Sequence, residues 1–535
     1  MNTNEIKLND DKKLFFLVFV IALSVFLFTT DAHRYTIDED ITEQEAIRIA
    51  TQEPNPLYVQ GKSSTLFEYP DIFPLDAPWY HPGPICLNAV LCSKSEIGHS
   101  LTEAPFLLIN HNLHIITKET VVWTVEDFND PHYVYWRNNI DPDFTFLELF
   151  YAPVFSALSV GVFFLICRTF NFDQKNSLIL AFLYGFTTMV WAYSKTSLNV
   201  VPTIFFVLLG FLYFRKFQKN QSPINLILCG TSLGFGFLVR PDAVLFIIPL
   251  FFFLLYHIKN QNYKIKKFFS FVVPVISSYV IHAAIPVIRF GISPASTVTS
   301  DSQGFFLLYI QDNLLQTIFG LLLSPGVGVL IFVPLLFTVF FSFPDFYKKN
   351  KSECLLFLSF TILFLFYYGT SIGGERFGLV AWGARYLLPV IPFLLLPLGA
   401  SIEKRKSKIL KITLVILGGF GFFFNLAYVV QDVSWFVWCR PGCTHGLFSL
   451  GNYMTDLYIH DAVIWTFEFS QLTHSIITAF TALQYDIFLL KVLGPIAYGL
   501  TFTSIVTALI YFLFRLLQKQ PTHTNSLYEK NKSFL

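Results

Sequence analysis

Apolar runs of about 16–22 residues recur along this chain from end to end, each close to the length one helix needs to cross a bilayer. They lie near Leu14–Thr30, Phe146–Cys167, Ser177–Trp191, Val200–Phe214, Ile224–Val239, Ala243–Tyr256, Phe268–Ile288, Val327–Phe343, Cys354–Tyr368, Tyr386–Ala400, Ile409–Val430 and Phe488–Leu516. Within hydrocarbon every backbone N–H and C=O must find a partner inside the protein, and an uninterrupted run of this length achieves that as a helix. The pattern predicts an all-α integral membrane protein with about twelve transmembrane helices. Pro202, Pro249, Pro274, Pro334 and Pro392 interrupt several runs, which a surrounding bundle tolerates. Composition agrees: only 14% of the 535 residues are charged, against about 25% in an ordinary globular domain. Phe alone supplies 63 residues, suited to lipid-facing surfaces and interfacial belts.

Basic residues set the orientation. The short connectors Arg215–Lys219, Lys264–Lys267, Lys348–Lys351 and Lys404–Lys406 are rich in Lys and Arg, as are Lys12-Lys13 and the tail from Lys519. By the positive-inside rule that side is cytoplasmic, and both termini lie there. Phe26-Leu27-Phe28-Thr29-Thr30 offers no small-residue cleavage site, so the first run reads as an uncleaved anchor of a multi-pass cell-membrane protein. The chain divides into a cytoplasmic N-terminus (1–13), a transmembrane core (14–400) with a large external loop (31–145), C-terminal transmembrane helices (401–517) with a second external loop (431–487), and a cytoplasmic tail (518–535). Cytoplasmic connectors are all short, so the activity is expected on the external face. The net charge of +1 points to no nucleic-acid partner.

Cysteine placement fits an oxidising exterior. Cys86 and Cys92 lie in the first external loop and Cys439 and Cys443 in the last, where local disulfides Cys86–Cys92 and Cys439–Cys443 are expected. Cys439-Arg440-Pro441-Gly442-Cys443 read as half a metal site lacks a matching second pair. His111 and His114 read as a polar loop feature rather than a ligand pair.

Directly after the first run comes an acidic cluster, Asp38-Glu39-Asp40, then Thr42 and Glu45 in capping-box spacing. Ile41, Ala46, Ile47, Ile49 and Ala50 form an apolar stripe beyond it. An amphipathic helix is expected to start near Thr42 and lie on the external membrane surface. The carboxylates would stand just ahead of its N-terminus, where the helix dipole favours their ionised form. From spacing alone, capping and catalysis are equally open to them.

An acidic pair soon after the first span and ahead of an amphipathic helix resembles the C-type glycosyltransferase superfamily. Its members are polyprenol-phosphate-sugar-dependent membrane enzymes, among them the protein O-mannosyltransferases and the aminoarabinose transferase of lipid A. Further stretches are similar to its prokaryotic members. Arg240-Pro241 resembles their turn between two central spans, Ser324-Pro325-Gly326-Val327-Gly328 their Ser-Pro-x-x-Gly opening of a span, and Gly383-Ala384-Arg385-Tyr386 their Gly-x-Arg-Tyr motif. The likeness runs from about Leu14 to Ala400, while Asn55–Thr145 matches none of these motifs. It implies the C-type glycosyltransferase architecture, with external interfacial helices (a second one expected over Phe305–Leu323). It also implies a catalytic base at Asp38 or Glu39, with Asp40 leaving the register open.

The resemblance implies transfer of a sugar from a polyprenyl- or dolichyl-phosphate donor to a glycan, lipid or protein acceptor. The chemistry needs one general base, and cations or a metal to receive the charge of the departing phosphate. Candidate cations are Arg385, Arg240, Arg376 and Lys195. Arg385 leads, since a guanidinium grips phosphate bidentately. Plainer roles compete: Arg385 as an interfacial anchor, Arg240 in a polar turn with Asp242, and Lys195 snorkelling to water. The glycine-rich connector Gly369–Arg385 is expected to be a substrate lid or simply a flexible loop. No cofactor is certain, and a divalent metal is compatible. The rival readings are a multi-pass transporter, disfavoured because no two related halves are visible, and a non-catalytic subunit of an envelope glycan assembly.

Overall fold

The computed structural model describes residues 3–32, 37–51, 96–120, 142–290, 314–370, 382–404, 408–431, 463–481 and 485–518. Among them the regular structure is helical throughout. Helix α1 (Thr3–Leu27) leads into α2 (Ile37–Thr51) and α3 (Ile97–Leu113). A continuous series follows: α4 (Pro142–Thr169), α5 (Gln174–Thr187), α6 (Val200–Asn220), α7 (Pro223–Val239), α8 (Val244–Ile258) and α9 (Lys264–Phe290). The second half contributes α10 (Leu314–Leu323), α11 (Phe337–Tyr347), α12 (Lys351–Gly369), α13 (Ile391–Lys404), α14 (Lys408–Val429), α15 (Gln471–Thr481) and α16 (Pro495–Gln518).

Eight helices among the described residues are long and apolar enough to cross a membrane: α4, α6, α8 with its leading turn, α9, α12, α13 with its leading turn, α14 and α16. The expected twelve is therefore not reached on helix length, and the remaining runs take other forms. Leu14–Thr30 is the apolar part of α1, and Ile224–Val239 is the shorter α7. The run at 177–191 stops at Thr187 and resumes as the single turn Val190–Tyr193. The run at 327–343 breaks into Val329–Phe332, a 3-10 turn Pro334–Leu336 and then α11. Pro334 causes that break, because it has no N–H to donate and drives Val333 out of the helical region, to φ −129° and ψ 71°.

α4 is the hub. It packs on α1, α3, α5 and α6, and nearly all its length is buried. α7 lies between α6 and α9, and approaches α9 closely at Gly230, where a Cβ would stand 2.5 Å from the Phe271 carbonyl oxygen. Phenylalanines do more than face lipid. Phe246, Phe360 and Phe393 meet one another at centroid distances of 4.9 to 5.6 Å inside the bundle, in the edge and tilted arrangements that ring quadrupoles favour. Phe252, Phe340 and Phe341 do face outward. α16 contributes no buried residue and rests on α1.

The acidic helix differs from expectation. It starts at Ile37, so Thr42 lies inside it and not at its start, and Asp38 and Glu39 occupy its first turn rather than a preceding loop. Nor does its polar side face water. Glu39, Thr42, Glu43 and Glu45 are buried, and the helix packs on α3. Polar partners inside draw that face inward: the Ser100 hydroxyl donates to the Thr42 carbonyl at 3.3 Å and the Ser197 hydroxyl to Glu43 Oε1 at 3.3 Å. Of the second expected interfacial helix, Leu314–Leu323 is helical and the stretch before it lies outside the described residues.

Candidate functional site

One end of the bundle gathers the exits of α1, α5, α7, α12 and α14. Arg240 ends α7 because the residue before a proline is held in extended backbone, here φ −157° and ψ 116°. Pro241 then opens the turn into α8. The turn brings Arg240 Nη2 to 2.9 Å from Asp242 Oδ2 and 2.8 Å from the Tyr368 hydroxyl. That hydroxyl in turn donates to Asp242. Burial is the largest influence and opposes the Arg240 charge, but Asp242, Tyr368 and Tyr386 together outweigh it and raise its pKa, so the guanidinium stays charged.

Arg385 reaches the same place from another direction. Gly383 sits at φ +61°, and a Cβ there would come within 2.6 Å of the Met189 sulfur, so only glycine fits this turn. The turn buries Trp382, whose indole N–H donates to Asn425 Oδ1 at 3.1 Å and whose carbonyl accepts from the Tyr193 hydroxyl at 3.1 Å. Arg385 then donates to the Tyr386 hydroxyl at 3.0 Å, with its guanidinium 4.9 Å from that ring's centroid. Arg240 stands 5.4 Å from the same ring, which is stacked on Tyr368 at 4.2 Å. Two guanidiniums thus share one tyrosine within cation–π reach. Asp242 serves Arg240. Among the described residues no carboxylate pairs with Arg385, and its solvent-shielded Nε has no hydrogen-bond partner.

Lys195 lies elsewhere at this end. Its ammonium is 2.6 Å from Asp31 Oδ2, just past α1, and donates to the carbonyls of Gln431 at 2.9 Å and Val429 at 3.3 Å. Tyr428 links the two groups: its ring lies 4.4 Å from Trp382 and 5.9 Å from the Lys195 ammonium. Glu39 is 1% exposed. Arg376 and the cysteines Cys86, Cys92, Cys439 and Cys443 lie outside the described residues.

A second polar cluster joins α2, α3 and α4. His99 Nε2 stands 3.1 Å from Glu103 Oε1 and 2.8 Å from the Ser197 carbonyl, while the Ser197 hydroxyl donates to Glu148 at 2.8 Å. His111, considered above with His114, faces Asp143 at 3.1 Å, and His114 ends α3 in the left-handed region. Among the described residues no group of His, Cys, Asp and Glu could hold a metal ion.

Arg240, Arg385 and Lys195 were legible as candidate cations, and the polar turn of Arg240 with Asp242 was legible too. Tyr368 beside Arg240 and Asp31 beside Lys195 were missed, and Asp242 carried its signal by lying next to the Arg-Pro pair. Asp31 and Tyr368 carried none, since each gains its role from a residue more than a hundred positions away. Glu148 was visible only as an acid within an apolar run.

No curated protein matches the chain. Residues 147–287 match the family model described as dolichyl-phosphate-mannose-protein mannosyltransferase. That stretch runs from α4 into α9, and so contains Lys195, Arg240 and Asp242 but neither the acidic helix nor Arg385. Over that stretch the chain is similar to this family, which is part of the C-type glycosyltransferase superfamily.

Proposed function

We propose that the protein moves a sugar from a polyprenyl- or dolichyl-phosphate donor to a hydroxyl or amine of a glycan, lipid or protein acceptor at the outer membrane face. The observation that carries this is the pair of arginines on Tyr386, of which Arg385 has no acid partner among the described residues. A buried surplus of positive charge at a helix end is costly and is stabilised by an incoming anion. A lipid-linked phosphate presents one at this depth. Arg385 and Arg240 would hold its oxygens, with Arg376 a further candidate.

The acceptor oxygen or nitrogen attacks the anomeric carbon and gives its proton to a carboxylate of the Asp38–Glu39 pair. The bond between the anomeric carbon and the phosphate oxygen breaks with its electrons on that oxygen, and lipid phosphate leaves as an anion. One base and a cationic pole suffice, because the leaving group needs no proton. A divalent cation could share the phosphate charge. Loss of turnover in EDTA, restored by Mg2+ or Mn2+, would reveal one.

The test uses purified full-length protein in nanodiscs with radiolabelled polyprenyl-phosphate sugars, hexosyl and pentosyl, and mixed acceptors. Sugar transfer with release of free lipid phosphate is the expected result. Binding of lipid phosphate without transfer from any donor would point to a non-catalytic subunit. No binding at all would remove this reading.

A further inference from the structure

Lys195 is 1% exposed, at a point where distant parts of the chain meet. Its ammonium has three N–H groups. Within reach are a carboxylate oxygen of Asp31 at the exit of α1 and the carbonyls of Val429 and Gln431 at the exit of α14. The chain entering the C-terminal helices reinforces the same joint. The Phe488 N–H donates to the Thr30 carbonyl at 2.9 Å and the Asp486 N–H to the Val430 carbonyl at 2.9 Å. From α16 the Tyr498 hydroxyl donates to the Phe28 carbonyl at 2.5 Å, and the two rings pack at 5.6 Å. Asp31 lies only six residues before Ile37, so whatever fixes Asp31 limits where the acidic helix α2 can start. A lysine that snorkelled to water, or gripped a donor phosphate, would turn its ammonium outward. This one is turned toward the two chain exits.

We propose that Lys195 is a positioning residue. With Asp31 it forms the joint that limits where the acidic first turn of α2 can lie, and it does not contact the donor. The catalytic consequence rests on the reading of Asp38–Glu39 as the source of the base, whereas the mechanical one does not.

The experiment pairs hydrogen exchange with kinetics on the full chain in nanodiscs. Lys195→Met and Asp31→Asn should each speed amide exchange across residues 37–51 and lower kcat by about tenfold or more, the scale expected when a catalytic group is displaced by about an ångström. Affinity for undecaprenyl phosphate should stay within about twofold of the parent, since a positioning residue acts on kcat rather than on donor binding. The double variant Asp31→Asn/Lys195→Met should be no worse than either single one, because the two side chains act as one unit. Lys195→Arg should recover most of the loss. If a single variant fails to fold, the double variant, which leaves no lone buried charge, carries the test. Weaker undecaprenyl phosphate binding with unchanged exchange in α2 would make Lys195 a donor contact and overturn the proposal. Unchanged exchange with unchanged kcat would overturn it as well. Should the parent transfer no sugar from any donor, the proposed activity fails, and exchange in α2 still decides whether the joint exists.

Discussion

The two ends of the helix bundle treat charge in opposite ways. At one end each cation meets an acid of its own. Arg168 lies 2.9 Å from Asp11, Lys404 lies 2.7 Å from Asp345 with its own side chain 58% exposed, and Arg215 pairs with Glu353 while covering Phe170. At the other end Arg240, Asp242, Lys195 and Asp31 are buried, Arg385 is half-buried, and no acid among the described residues pairs with Arg385. Arg240 and Arg385 crowd one tyrosine ring with Asp242 as their acid, and Lys195 and Asp31 form a pair with almost no exposure. A cation with an acid of its own asks nothing of a ligand, and where the cation is exposed, as at Lys404, the pair contributes little to stability. A buried cation without its own acid is expensive, and is the arrangement an anionic substrate would complete.

The comparison breaks most completely if the ends are assigned to the wrong sides. A cysteine in place of His114, on the exposed turn after α3, should react fully with an impermeant maleimide added outside intact cells. One in place of Lys266, exposed at the start of α9, should not react until the membrane is opened. External labelling at Lys266 would reverse the orientation and put the arginine pair in the cytoplasm.

Next in size is the acidic turn. Asp38→Asn keeps shape but cannot take a proton, so turnover should fall by about 10²–10⁴, with affinity for lipid phosphate near the parent's. Loss of transfer in Glu39→Gln with Asp38→Asn active would shift the base to the buried carboxylate. Normal transfer by both single variants and by the pair would move the base out of this helix.

Arg385→Ala should weaken undecaprenyl phosphate binding by about 1.5–3 kcal/mol, the range for hydrogen bonds to charged groups. Arg385→Lys should recover only part of it, since a point charge replaces a planar fork. Equal affinity in all three proteins would leave Arg385 as an anchor for Tyr386. The smallest effect belongs to the other end. Lys404→Ala should cost less than about 1 kcal/mol of stability, shrinking further in high salt, with kcat and donor affinity unchanged. A kinetic loss there would erase the contrast between the ends.

Much of this was legible because the signals are local. A run of apolar residues must be a helix wherever it meets lipid, so membrane residence and most helix positions followed from the sequence, as did the turn at Arg240-Pro241. The start of α2 was misplaced for a related reason. The Thr42 and Glu45 spacing carries a capping pattern, but burial against Ser100 and Ser197 lets the helix begin a turn earlier and face its acids inward. Sequence by itself determined the solvent of the protein, its helices and the residue types on offer at its ends. Only tertiary structure decided which of them meet. Asp31 reaches Lys195, and Tyr368 reaches Arg240, across more than a hundred residues of intervening chain. Such pairings depend on how the helices pack, and no local pattern encodes them.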